Sequence, residues 1–458
     1  AVNGGTLNLN DTAISNPVTV AGGTLTGGSI DAAKVVPTSG TISAVLTGAD
    51  GLAKSTAGDV VLSGANTFTG GVTVDSGKVT LGNAAALGGA ANAVTVGSAG
   101  TVDVNGRSIA VANLAGAGAV TNADAVNAAT LTLSGVAATS TFSGVLYGNL
   151  GVVKTGAGIQ VLAGVNTFTG NVAVNAGTLA ARSDTALGTG TVTVTAGTLD
   201  LSGASIANAV SITGGTITGG TINVGSGATV DVQAGTISSA ISGQGGLLKT
   251  GAGTANLNGT NDFSGGVTVG GGTVNAGTDT AFGSGSLTVN AGTVNLGTAT
   301  IGNTVFLNGG TIAGGTINLA TVKTLTAKAG TLSSLLAGDG SLSKTDNGTL
   351  LITGDNTGFT GATTIAGGTV TLGANAALGT GAVTVSGGSL DLNGKTIVNG
   401  VTVSGGTLTG GTIAVDKVSA NSGTIAAKLT GSAAFVKSVA GDVLLTGAND
   451  FTGGVEVS

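Results

Sequence analysis

No cysteine, histidine, methionine or tryptophan occurs in the 458 residues, and proline occurs only twice. Without cysteine there are no disulfides, no thiol chemistry and no cysteine-based metal sites. Without histidine, Ser-His-Asp and Cys-His catalysis are excluded, together with histidine metal sites. Without methionine, Ala1 reads as a processed or cut end, and a removed signal peptide fits it. Aromatic residues make up 2% of the chain and charged residues 7%, with a formal net charge of −6. So few basic groups leave no electrostatic footprint for nucleic acid, and so few rings leave little for single strands to stack on. No apolar run reaches the roughly 18 residues of a membrane helix, because Thr, Asn, Ser and Gly break every candidate.

What the chain does have is glycine, 89 residues of it, in a sequence that is 41% hydrophobic with a mean hydropathy of +0.50. Disorder needs low hydrophobicity and high net charge. This composition can instead build a long aliphatic core.

The sequence repeats itself on two scales. Glycine followed by threonine or a substitute, and then an aliphatic residue, recurs as at Gly177, Gly197, Gly215, Gly235 and Gly253. Counting 24 such landmarks from Gly5 to Gly441 gives about 19 residues per step. Five steps make a longer period of about 95 residues. Its signature is GLAKSTAGDVVLSGANTFTGG at 51–71, which returns at 151–171, 246–266, 341–361 and 434–454. The signature carries Lys54, Lys154, Lys249, Lys344 and Lys437; Asn66, Asn166, Asn261, Asn356 and Asn449; and Phe68, Phe168, Phe263, Phe359 and Phe451. A second motif, Gly-Gly-Thr-aliphatic-x-Gly-Gly, falls at Gly22–Gly28, Gly214–Gly220, Gly309–Gly315 and Gly405–Gly411. The second group lacks it and spans 100 residues between signatures. One continuous array over 1–458 is expected, in five-step cassettes at 58–157, 158–252, 253–347 and 348–440, with partial ones at 1–57 and 441–458.

Within each step β-branched residues alternate, as in Val72-Thr73-Val74, Val267-Thr268-Val269 and Val383-Thr384-Val385, bounded by Gly, Asn and Asp. That is the pattern of short strands with one buried face. Helical periodicity is absent, and so much glycine would cost a helix about 1 kcal/mol per position. One such step cannot bury its own apolar face, whereas a stack of them can, each backbone N–H finding a carbonyl in the next coil. The expected fold is all-β: a single-stranded right-handed parallel β-helix (β-solenoid) of about 24 coils of about 19 residues, roughly 115 Å long at the usual strand spacing. Glycine at the corners supplies positive φ. Signature residues of successive cassettes then lie five coils apart, roughly 24 Å. The lysines read as solvated edge charges, with a ligand-binding row as the alternative, the phenylalanines as packing plugs at a corner, and the asparagines as holders of left-handed turns or local backbone.

The pattern G-L-x-K-x-G-x-G-x-x-x-L-x-G-x-N-T-F-T-G-G, best matched by 151–170 and 246–266, closely resembles the autotransporter-associated β-strand repeat, also called the passenger-associated transport repeat. The resemblance implies a Gram-negative extracellular protein exported through the outer membrane, and it supplies no catalytic residue and no cofactor. The chain carries neither a secretion signal nor a C-terminal translocator barrel, so these are expected to be removed or to lie outside it.

Other chemistry is weak. Gly394-Lys395-Thr396 ends like a phosphate-binding loop, but Ser389 stands where its first Gly belongs. The 20 Asp and Glu are scattered, which disfavours the paired carboxylates of a polysaccharide-cleaving β-helix. Asp103, Asp200 and Asp231 follow strand alternation singly and are expected to be exposed. The calcium nonapeptide is missing, and Thr-x-Thr pairs such as Thr24/Thr26 and Thr130/Thr132 do not recur on every coil as an ice-binding face would need. The expectation is a non-enzymatic structural or adhesive solenoid of the cell surface, contacting copies of itself, end to end or side by side, or cell-surface glycans. A passive stalk for a separate effector domain is the alternative, and a polysaccharide-cleaving enzyme is third.

Overall fold

The computed structural model describes every residue except Ala137, Ala138, Thr321 and Ala433. The described residues are almost wholly β, with one short 3₁₀ turn among them at Ala32–Lys34, and the parallel coils form a β-solenoid of about 22 turns. It divides into two compact units, 1–224 with 238–240, and 225–237 with 241–458. In each unit the strands are short and parallel to the strand one coil earlier.

One cassette of the second unit shows the construction. A coil has three sides. Ser341–Lys344 lies on the first and Thr349–Ile352 on the second. One coil on, Thr363–Ile365 and Thr369–Leu372 pair with them in register. Val383–Val385 and Ser389–Asp391 follow, and then Val401–Thr409, a single strand that bends across both sides. Inward positions such as Val383, Val385, Leu390, Val401, Val403 and Leu408 are buried, while the alternate Thr384 and Thr402 are not. Each fully buried Val, Ile or Leu contributes about 1.5–3 kcal/mol, so the alternation fixes the register: a slip of one residue would turn every aliphatic side chain outward.

The third side explains the longer period. In three consecutive coils it is a strand, Thr396–Ile397, Thr412–Ala414 and Lys428–Thr430, which form their own small sheet. The same occurs at Thr300–Ile301, Thr316–Asn318 and Leu335–Ala337, and in the first unit at Ala13–Ile14, Ser29–Asp31 and Val45–Thr47. In the other two coils this side has no strand. One of those carries the signature Asn and Phe, and the next carries a turn such as Ala376-Ala377-Leu378-Gly379. Five coils are needed before the third side repeats.

The 100-residue group departs from this rule. From Lys54 the column of paired residues rises through Val74, Val96, Gly116 and Phe142. Lys154 is not in that column. Its strand, Leu150–Lys154, stacks on Ala129–Leu133 and, below that, Ile109–Val111. The signature therefore returns after four turns and two sides instead of five turns, rotated onto a neighbouring side. The coils here are long, with offsets of 22 residues at Val74/Val96 and 26 at Gly116/Phe142. This accounts for part of the difference between about 22 turns and the 24 landmarks in the sequence.

Candidate functional site

The signature coil is the place where chemistry-bearing side chains recur, and it is built around a buried ammonium group. Lys54, Lys249 and Lys344 are 0% exposed and Lys154 is 2% exposed. The expectation of solvated edge charges is therefore corrected. Lys344 alternates inward on its strand, and its Nζ then curls back to the corner, donating to the carbonyls of Thr345 at 2.6 Å, Asp346 at 2.8 Å and, from the coil above, Gly367 at 3.0 Å. Lys249 does the same with Thr250 at 2.6 Å, Gly251 at 2.9 Å and Gly271 at 3.2 Å. Lys54 reaches the Thr56 carbonyl, Thr56 Oγ1 at 3.0 Å and the Ser76 carbonyl at 3.1 Å, and Lys154 reaches the Gly156 carbonyl. An uncompensated buried charge is prohibitive, and these carbonyl dipoles compensate it. Burial still lowers all four lysine pKa values, with Asp59, Asp231 and Asp346 pulling back those of Lys54, Lys249 and Lys344. The cage also dictates its lid. Gly272 sits at φ +64, where a Cβ would meet the backbone oxygens of Gly253 and Gly251 as well as Lys249 Nζ at 2.6 Å, so only glycine fits.

The signature asparagines bridge coils rather than hold local turns, which corrects the second expectation. Asn66 Oδ1 accepts from the Leu46 N–H one coil below at 2.9 Å, and its Nδ2 donates to Ala86 O one coil above at 2.6 Å. Asn166 joins Leu146 to Ala186, Asn261 joins Ile241 to Ala281, and Asn356 joins Leu336 to Ala377 in the same way. Among the described residues, none of the five is left-handed. Their amides supply the inter-coil hydrogen bonds on the side that has lost its strand. Phe68, Phe168, Phe263 and Phe359 fill the space beneath, each 0% exposed. In the fifth copy Lys437, Asn449 and Phe451 are only half-buried, with Val457 paired over Lys437. Asn449 still accepts from Leu429 N–H at 2.9 Å and Lys437 donates to Val439 O at 2.6 Å.

A second set of asparagines escaped the sequence reading. Asn208 Nδ2 donates to Gly188 O and Gly190 O, Asn303 to Gly283 O and Gly285 O, and Asn399 to Gly379 O and Gly381 O. Each stands two residues before a strand, at Val210, Val305 and Val401, so Asn-x-Val was the available signal. Asp103 is another correction. It is 4% exposed, with Oδ1 accepting from the N–H groups of Asn105 and Ala123, whereas Asp200 and Asp231 are half-buried. Thr396, after the phosphate-loop-like Gly394-Lys395, begins a strand. Outward rows carry ladders such as Asn256–Asn275–Asn295, linked at 2.8 and 3.3 Å. Among the described residues no group of three acidic side chains could hold a metal, and no helix is long and apolar enough to cross a membrane.

A parallel solenoid whose repeated polar residues all bind its own backbone defines the class: a repeat protein whose signature is structural. Five segments, 52–81, 152–181, 247–276, 342–372 and 435–458, match the Passenger-associated-transport-repeat family. The chain therefore carries five copies of this passenger-associated repeat. It is also similar to the adhesin BmaC autotransporter of Brucella suis biovar 1 (strain 1330), at 33% identity over 182 residues, which is 39% of this chain and 5% of that protein. The chain thus spans a small fraction of that relative's length. No solved structure matches it.

Proposed function

We propose that the chain is a non-enzymatic adhesive and structural β-solenoid, exported as an autotransporter passenger and displayed on the surface of a Gram-negative bacterium. The observation carrying this reading is the signature coil itself. Its Lys, Asn and Phe serve the solenoid's own backbone and core, leaving the outward rows of Thr, Ser and Asn as the surface offered to others. The matched repeat family and the adhesin relative support export and attachment. The five-coil cassette is the unit of duplication in this reading. Weak contacts repeated along the coils favour multivalent binding over one tight pocket.

The test is display on a non-adherent Gram-negative host. Cells carrying the chain, with surface exposure verified by antibody, should adhere to epithelial cells or glycan-coated plates above cells carrying the export machinery alone. Adherence equal to that control rejects the adhesive role. The finer reading adds head-to-tail stacking of copies into fibres through open strand edges. Negative-stain images showing only uniform short particles at low salt would remove it.

A further inference from the structure

Two grooves in the second unit are copies of one another. The first, of about 340 Å3, is lined by residues 227–229, 244–246 and Gly266, with a few neighbours. The second, of about 220 Å3, is lined by residues 322–324, 339–341 and Ala362. The second set is the first moved on by 95 residues, or 96 past the inserted residue before Phe359. Both grooves lie at the corner leading into the signature lysine's strand, and the same hydrogen bond closes both: Gly246 N–H to Ala228 O at 3.0 Å, and Ser341 N–H to Lys323 O at 3.0 Å.

The lining says what would fit. The first groove has no charged side chain. It offers glycine backbone, the exposed Gln244 amide and the hydroxyls of Thr229 and Thr268. The second keeps hydroxyls, with Thr324 Oγ1 and Ser341 Oγ 2.9 Å apart, but has Lys323 and Asp339 where the first has Ala228 and Gln244. Where the first groove has Gly227 at φ 75, the second has Val322 at φ 69, 95% exposed. A β-branched residue held left-handed at the rim is strained, and it gains no packing in return. Such strain marks functional positions. What the two grooves share is therefore hydroxyl and glycine-backbone chemistry with small apolar patches and no aromatic platform, and the opposite charges of Lys323 and Asp339 leave the second without net charge. That suits a sugar ring held weakly, and the grooves stand five coils, roughly 24 Å, apart along the solenoid.

We propose that these corner grooves are related subsites for a neutral polysaccharide, which one polymer chain engages in series. The proposal rests on the adhesive reading above and gives it a place and a ligand class. The test applies the full chain to immobilised β-glucan, mannan, galactan and dextran, with heparin as the anionic control. Binding to at least one neutral polymer is expected at concentrations about a hundredfold below those needed for its trisaccharide, because linked sites act together. The double variant Thr229→Val/Thr324→Val removes only hydroxyls, and it should reduce polymer affinity to the trisaccharide level with an unchanged circular dichroism spectrum. The bulkier Thr229→Leu/Thr324→Leu should abolish binding. Lack of saturable binding to all four neutral polymers, or wild-type binding by both double variants, overturns the proposal. The display assay separates the two ideas. Adherence without polymer binding removes the grooves and leaves the adhesin, whereas polymer binding without adherence does the reverse.

Discussion

Removing the ammonium of Lys344 while keeping its stem is the sharpest trial of the carbonyl cage. In Lys344→Met the carbonyls of Thr345, Asp346 and Gly367 lose their shared donor. Hydrogen bonds to a charged group are worth about 1.5–3 kcal/mol each, and a buried acceptor left unpaired costs about 1–3 kcal/mol. Against this, the variant no longer has to desolvate a charge, a penalty of several kcal/mol. The corner can also admit water to part of the cage. The balance is a net loss of about 2–4 kcal/mol, against at most about 0.5 kcal/mol for a solvated edge charge. Lys344→Ala adds the burial lost with the stem, at about 0.8 kcal/mol per methylene. Repeat arrays need not unfold in one step, so the readout is native-state hydrogen exchange over 341–372. At 1.4 kcal/mol per decade, amides there should exchange about thirty- to several-hundredfold faster in Lys344→Met, and faster still in Lys344→Ala. Exchange unchanged in Lys344→Met would refute the cage as a source of stability.

Asn356→Ala should leave the buried Leu336 N–H without a partner and cost about 1–3 kcal/mol. Asn356→Asp should keep that bond but lose the donation to Ala377 O, so its deficit should shrink on acidification, when the carboxyl regains a proton; melts at neutral and acid pH check both. Phe263→Ala empties a site that is 0% exposed and should cost about 3–5 kcal/mol, read as exchange over 247–276. Gly272→Ala, at φ +64 against the backbone oxygens of Gly253 and Gly251, should destabilise the same segment, whereas Gly225→Ala, with open space around it, should not. The four buried lysines have folded pKa values below 10.5, so the unfolded chain binds more protons in the window between the lowered values and 10.5. Stability should therefore rise with pH through that window. Replacing Lys54, Lys154, Lys249 and Lys344 together by Met should flatten the rise in a denaturant titration.

The sequence by itself determined the coil. A strand period of two, glycine at fixed intervals and a step of about 19 residues leave a stacked parallel solenoid as the way to bury Val, Leu and Ile and pair every backbone amide. The absences in composition were equally legible, because a missing side chain excludes its chemistry in any fold. Tertiary structure decided where each signature residue points. Lys344 reads as a surface charge in sequence because lysine is rarely buried unpaired, and its partners are main-chain carbonyls, which leave no mark in the side-chain pattern. Asn356 bonds residues 20 positions before and 21 after it, a reach that exists only once coils are stacked. The rotation between Lys54 and Lys154 and the match between the two grooves are likewise properties of the winding. Local alternation fixes which face of a strand is buried, but the number of residues in each corner fixes which side of the coil it joins.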